Sequence, residues 1–193
     1  MNVILYGAQF RHNENGRCVM AGVAFRLCFT AEGQSMSKDF VTTSEDRNYG
    51  DLWLSELLAL VSKMGEAEDV SSIRLITGQP EVEKMGKKVE RILIAALEKD
   101  VKSEPDVAKL VFKDGRYTPR PNNDLYTKLV LALLDLSRRH IHFSHEHKPC
   151  VHTMELAKDL NQKVAPQKQL VKPKAKKASA KKKPPVIENK RDV

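Results

Sequence analysis

Cysteine is scarce and poorly spaced for chemistry. The 193-residue chain has three, Cys18, Cys28 and Cys150. An odd count with no Cys-x-x-Cys pair implies neither a disulfide framework nor a zinc ribbon, and three free thiols in a reducing, intracellular compartment (cytoplasmic or nuclear) are the expectation. Long apolar runs are also lacking. None approaches the ~20 residues of a membrane span, and the opening MNVILYGAQF has no signal-peptide pattern. Membrane partners are therefore not expected. What is present is a composition of 41% hydrophobic and 30% charged residues, enough for a core.

The formal charge of +8 is unevenly divided. Residues 163–193 hold 11 Lys and Arg against 2 Asp and Glu, together with four of the nine prolines. The first 162 residues are nearly neutral, with 22 basic and 23 acidic groups. This division predicts a folded domain over 1–162 and a disordered Lys/Pro/Ala-rich tail over 163–193.

Within the body, Val3–Tyr6, Cys18–Phe29 and Met36–Thr43 read as three strands. The polar stretch Arg11–Arg17, with Asn15-Gly16, and the stretch Thr30–Gln34 read as the turns of an antiparallel meander. Trp53, Leu57, Leu60 and Met64 then recur at helical spacing, closed by Gly65. Val70–Thr77 is a fourth strand, and Pro80 opens a second helix with Met85, Val89, Ile92 and Ala96 on its stripe. Residues 100–122 read as irregular, with a small hairpin around Asp114-Gly115. A helix over Leu125–Arg139, a short strand Ile141–Phe143 and a helix over Thr153–Gln162 complete the domain. The fold class is α/β, a mixed five-stranded sheet with three antiparallel strands, parallel crossovers and flanking helices.

Four segments in this order resemble the type I ribonuclease H family. They are Glu56-Leu57-Leu58-Ala59-Leu60 on the first helix, Ile73–Gln79 (IRLITGQ) on the fourth strand, Phe112–Leu129 (FKDGRYTPRPNNDLYTKL), and His140–Leu160 (HIHFSHEHKPCVHTMELAKDL). The resemblance covers about residues 1–160. It implies a ribonuclease-H-like fold whose chemistry, in active members, is phosphodiester hydrolysis by two Mg²⁺ ions ~3.5–4 Å apart held on four carboxylates. The positions it assigns to those acids are Ala8, Glu56, Gly78 and Met154, of which Glu56 alone is acidic. Ala and Gly offer no side-chain oxygen, and a thioether is too soft for Mg²⁺. The expectation is a degenerate member with no cofactor and no intact catalytic set. For Glu56 the competing expectation is a solvent-facing helix residue, and for Met154 it is core filler.

Five of the six histidines fall in 140–152. Alternation places His140 and His142 on one strand face. His145 and His147 read as loop residues, and the resemblance puts the family's product-release histidine at one of them. Solvated or sheet-packed imidazoles are the default expectation, with a zinc site as the alternative.

Two basic features remain. Lys84, Lys87, Lys88 and Arg91 share one face of the second helix, where the resemblance implies contact with the phosphate backbone of a hybrid. In the tail, Lys172, Lys174, Lys176, Lys177, Lys181, Lys182 and Lys183 form a dense cationic run suited to counterion release on nucleic acid, or to nuclear import. The resulting expectation is an inactive ribonuclease-H-like protein that binds RNA, RNA–DNA hybrid or other nucleic acid. The alternatives are a metal-dependent nuclease with rearranged ligands and Mg²⁺, and a protein-binding scaffold of the kind some viruses and mobile elements carry. The sequence leaves the oligomeric state open.

Overall fold

The structure is a computed structural model that describes residues 1–14, 17–45, 48–67, 69–114 and 122–164. The tail lysines Lys172 to Lys183 lie outside the described residues, as does 115–121. No described helix is long and apolar enough to cross a membrane.

Five strands and five helices follow one another as β1 (Asn2–Glu14), β2 (Arg17–Ala31), β3 (Gln34–Ser44), α1 (Tyr49–Gly65), β4 (Ser72–Thr77), α2 (Pro80–Glu98), α3 (Glu104–Asp114), α4 (Asn123–Arg138), β5 (His142–His147) and α5 (Val151–Val164). The sheet order is β3-β2-β1-β4-β5. β1 pairs antiparallel with β2 and parallel with β4, from Asn2 opposite Ser72 to Gly7 opposite Thr77. β4 and β5 are parallel, with Thr77 opposite His147. β1 is thus where the sheet switches from antiparallel to parallel pairing. The expected mixed five-stranded sheet is present.

Period-2 alternation sends each strand's side chains to two different layers. On one face, Val3, Leu5, Val23, Phe25, Ile73 and Leu75 pack with Trp53, Leu57, Val89, Leu129 and Leu133, so α1, α2 and α4 cover the main core. On the other, Ala8 and Ala24 meet Leu156 and Leu160 of α5, with Tyr6, Phe10 and Val41 at the margin. Small residues let α5 approach closely. A Cβ at Gly22 would stand 3.2 Å from Leu160 Cδ2. Arg26 of β2 then ties α5 to the sheet. It binds both carboxylate oxygens of Asp39 on β3 at 2.8 and 2.9 Å and Glu155 of α5 at 2.6 Å, and its Nη1 lies 3.2 Å from His152 Nδ1. The guanidinium holds the Asp39 carboxyl below the usual carboxylate range.

Four details of the sequence reading are corrected. Residues 104–114, expected to be irregular with a hairpin over Lys109–Thr118, form α3 instead, because Val107, Leu110 and Val111 have helical spacing, Val107 and Val111 are fully buried, and Ser103 Oγ accepts from Asp106 N; the rest of the expected hairpin lies outside the described residues. β1 continues through Arg11–Asn13, into the stretch expected to turn, with a register shift at His12/Asn13; the Asn15-Gly16 part of that turn lies outside the described residues. β5 extends to His147, so His145 and His147 are strand residues. His140 lies outside that strand. Its φ of 62° puts it in the left-handed cap of α4, where Ile141 N donates to Leu136 O.

Candidate nucleic-acid interface

The carboxyl end of β1, β4 and β5 meets the first turns of α1, α2, α4 and α5. Gln79, the residue before α2, carries the β1–β4 pairing past Gly7 and Thr77 with its side chain. Gln9 N donates to Gln79 Oε1 at 2.7 Å, and Gln79 Nε2 donates to Gln9 O at 2.9 Å.

The positions matched to the family acids fall around this end. Ala8 is fully buried in the α5 cluster. Gly78 follows β4 directly, next in register to Ala8. Its side-chain space is already filled. A Cβ there would overlap Thr153 Oγ1, stand 2.9 Å from Thr153 Cβ and stand 3.4 Å from Pro149 Cα. Thr153 is itself fixed as the α5 cap. Its Oγ1 accepts from Cys150 N at 3.1 Å and donates to Cys150 O at 3.0 Å. Met154, the next residue, is 62% exposed, so it does not fill the core. Glu56 is half-buried on α1, one turn from Trp53, whose indole Nε1 lies 3.5 Å from where a Gly7 Cβ would stand. Ala8, Gly78 and the start of α5 thus lie together on one face of the sheet while Glu56 sits on α1 at the other, and the side chains at these positions do not supply what Mg²⁺ requires. No group of three or more His, Cys, Asp or Glu side chains suited to a metal occurs among the described residues. The residues present do not fit a pair of Mg²⁺ ions.

The basic stripe of α2 divides between two neighbours. Lys87 turns to Glu83, with which it forms an ion pair, and Glu83 also lies 3.6 Å from His147 Nε2. Lys84 and Lys88 instead line a groove of about 440 Å³ with Asn48, Tyr49 and Gly50 of α1, Met85, and Asn122, Asn123 and Tyr126 at the start of α4. Lys88 Nζ sits 4.3 Å from the Tyr126 ring centroid. Arg11, from the β1 extension, stacks over Tyr49 at 5.6 Å. Arg91 is exposed farther along α2. Asn122 adopts φ 91° before α4, a left-handed conformation that Asn tolerates better than most residues. The sequence reading found the lysines but not Tyr49, Asn122, Tyr126 or Arg11, because four separated segments build the groove.

Unmatched hydrogen-bonding capacity concentrates at this same end. Among the described residues the buried side-chain atoms without a partner are Gln9 Oε1, Trp53 Nε1, Asn122 Oδ1 and His147 Nδ1. Gln9 lies just past the last β1–β4 pair, His147 ends β5, Asn122 caps α4, and Trp53 lies one turn into α1 from Gly50. Open α/β sheets bind ligands outside the carboxyl ends of their strands, where the topology switches.

His145 faces away from α5. Its Nε2 is 2.9 Å from Thr77 Oγ1, its backbone N donates to Glu90 Oε1 at 3.1 Å, and its ring fills the space beside Gly86 on α2. Burial lowers its pKa despite the nearby carboxylates of Glu90 and Glu83. Both His145 and His147 thus project from β5 toward α2, not from a loop toward substrate.

Solved structures share the fold. The solution structure of the PFV RNase H domain superposes with a TM-score of 0.54 at 12% identity, covering 88% of this chain and 95% of that one. LC9-RNase H1, described as a type 1 RNase H with the type 2 active-site motif, gives 0.54 at 12% identity, with 83% and 68% covered. The foamy viral protease-reverse transcriptase in complex with RNA/DNA hybrid gives 0.53 at 13% identity over 84% of this chain, which spans about a fifth of that one. The chain has the ribonuclease H fold. No protein-family model matches the sequence, and no curated protein matches it either. At 12–13% identity the ribonuclease H likeness speaks for the fold alone.

Two outcomes follow from this geometry. Gly78→Ala should cost about 1–3 kcal/mol through overpacking. In a Thr153→Gly background the same change should cost close to nothing, a coupling read from denaturant unfolding of the four-member cycle. For His145 the folded pKa is depressed, so below about pH 6.5 the unfolded chain takes up the extra proton. Its contribution to stability is complete above that pH and declines as pH falls through the window toward the folded value. His145→Gln should reduce the drop in Tm across that window, as measured by thermal melts from pH 7.5 to 5.

Proposed function

We propose that this ribonuclease H fold binds nucleic acid, with RNA or RNA–DNA hybrid as the preferred class, and does not cut it. The observation that carries the reading is the juxtaposition at the carboxyl end of the sheet. A groove with Tyr49, Lys84, Lys88, Asn122 and Tyr126, flanked by Arg11, is built from the N-terminal halves of α1, α2 and α4, and the side-chain space at the matched position Gly78 is occupied by Thr153. Ammonium and guanidinium groups neutralise phosphate, amides donate to phosphate and sugar oxygens, and the partly exposed Tyr49 ring offers a surface for a base or ribose, while the buried Tyr126 ring positions Lys88. A-form duplexes are read through such backbone contacts rather than base edges. The cationic tail adds affinity of low selectivity, and the body supplies the shape discrimination. Hydrolysis has no support in the donor set, since Glu56 is the one acid among the four matched positions. No cofactor is proposed.

A second reading, a protein-binding scaffold, is favoured by one observation. Val151 and Met154, one turn apart at the start of α5, are 63% and 62% exposed. They present apolar surface at an element that carries an acid in active relatives of this fold.

Fluorescence anisotropy with a labelled RNA–DNA hybrid tests the first reading. Binding should weaken steeply with salt. Lys84→Ala/Lys88→Ala should lower the affinity about tenfold at low salt and reduce the log–log salt slope by about 2, while deletion of 163–193 should reduce it further. The hybrid should remain uncut in Mg²⁺ or Mn²⁺, with or without Glu56→Ala. Cleavage abolished by Glu56→Ala would establish the nuclease instead. Salt-insensitive or absent binding, together with a polypeptide partner retained after nuclease treatment, would favour the scaffold.

A further inference from the structure

The edge of the sheet at β3 lacks the devices that usually protect an edge strand. Such strands are commonly short, kinked by a bulge, interrupted by proline or guarded by outward charges. β3 runs for 11 residues without proline, and its pairing to β2 is continuous from Ala21 opposite Ser44 to Ala31 opposite Gln34. Its two charges are already engaged within the chain. Asp39 gives both oxygens to Arg26, and Lys38 folds over the Phe40 ring at 5.3 Å. The apolar margin of the main core, with Leu27, Phe29 and Phe40 partly buried, extends to this edge, where Met36 is 51% exposed.

We infer that β3 pairs antiparallel with β3 of a second copy, joining two five-stranded sheets into one across a two-fold axis. Charge excludes two registers and aromatic pairing selects among the rest. Centring the pair on Lys38 or Asp39 would oppose like charges. Centring it on Phe40 places the two rings opposite each other on the core face, sets Lys38 opposite Thr42 of the second copy, and pairs Met36 through Ser44. The body is nearly neutral, so long-range repulsion between bodies is small. β3 is the edge remote from β4 and β5. Two grooves would therefore stay open, and a duplex long enough to reach both would be held with avidity.

Sedimentation velocity of the full chain tests this without reference to nucleic acid, in moderate salt so that the two cationic tails are screened. The wild type should show a concentration-dependent monomer–dimer equilibrium. Thr42→Lys should weaken it roughly tenfold, because it creates two symmetric Lys–Lys oppositions, and Thr42→Glu should preserve or tighten it. Lys38→Glu/Thr42→Lys should restore the dimer, which separates a charge effect from misfolding, and melting curves should show each variant folded. A monomer at every soluble concentration would overturn the inference. So would a dimer that responds equally to Thr42→Lys and Thr42→Glu.

Discussion

The absence of a side chain at Gly78 is the constraint on which the outer layer depends. Because that position is bare, Thr153 can occupy the end of β4 while capping α5 through Cys150. Once the first turn is seated there, Leu156 and Leu160 reach Ala8 and Ala24 farther along the sheet, and Glu155 and His152 come within reach of Arg26. An aspartate at 78 would have to displace Thr153 before it could approach a metal. The bare position 78 and the close packing of α5 are therefore one feature viewed from two sides. In a core this dense, placing a carboxylate at 78 has a steric cost as well as an electrostatic one.

The charge distribution fits a division of labour. In a nearly neutral body, Lys84 and Lys88 line the groove with Arg11 beside it, while Lys87 pairs with Glu83 and Arg26 with Asp39 and Glu155. Electrostatic attraction without much shape information resides in the tail sequence. Shape information, in the form of tyrosines, asparagines and unmatched buried polar atoms, resides at the carboxyl end of the sheet. On the proposed reading, either part alone would bind weakly or indiscriminately.

Much of the fold was legible in the sequence because its signals are local. Strand alternation, the Trp53–Met64 stripe, Pro80 at the start of α2 and the four ordered segments led to the mixed sheet. Where local signals conflicted, the stronger physical term prevailed. Asp114-Gly115 suggested a turn, but burying Val107 and Val111 requires a helix. His145 and His147 resembled loop residues because they are polar. They fit a strand because Thr77, Glu90 and Glu83 meet them from β4 and α2. The site was less legible. The resemblance implied that three of the four matched positions lack an acid, but not that Thr153 fills the side-chain space at Gly78. It also showed four basic residues on one helix face, without showing that two of them turn to a groove built from α1 and α4. Those are contacts between distant segments, and no periodicity encodes them.

Chemical-shift mapping on the isotopically labelled chain tests the central claim most directly, with RNA–DNA hybrid and Mg²⁺ titrated separately. The account predicts that hybrid perturbs Tyr49, Lys84, Lys88, Asn122 and Tyr126, and that Mg²⁺ leaves Ala8, Glu56, Gly78 and Thr153 unmoved. Saturable Mg²⁺ shifts converging on Ala8, Glu56 and Gly78, or hybrid shifts that bypass the groove, would contradict it.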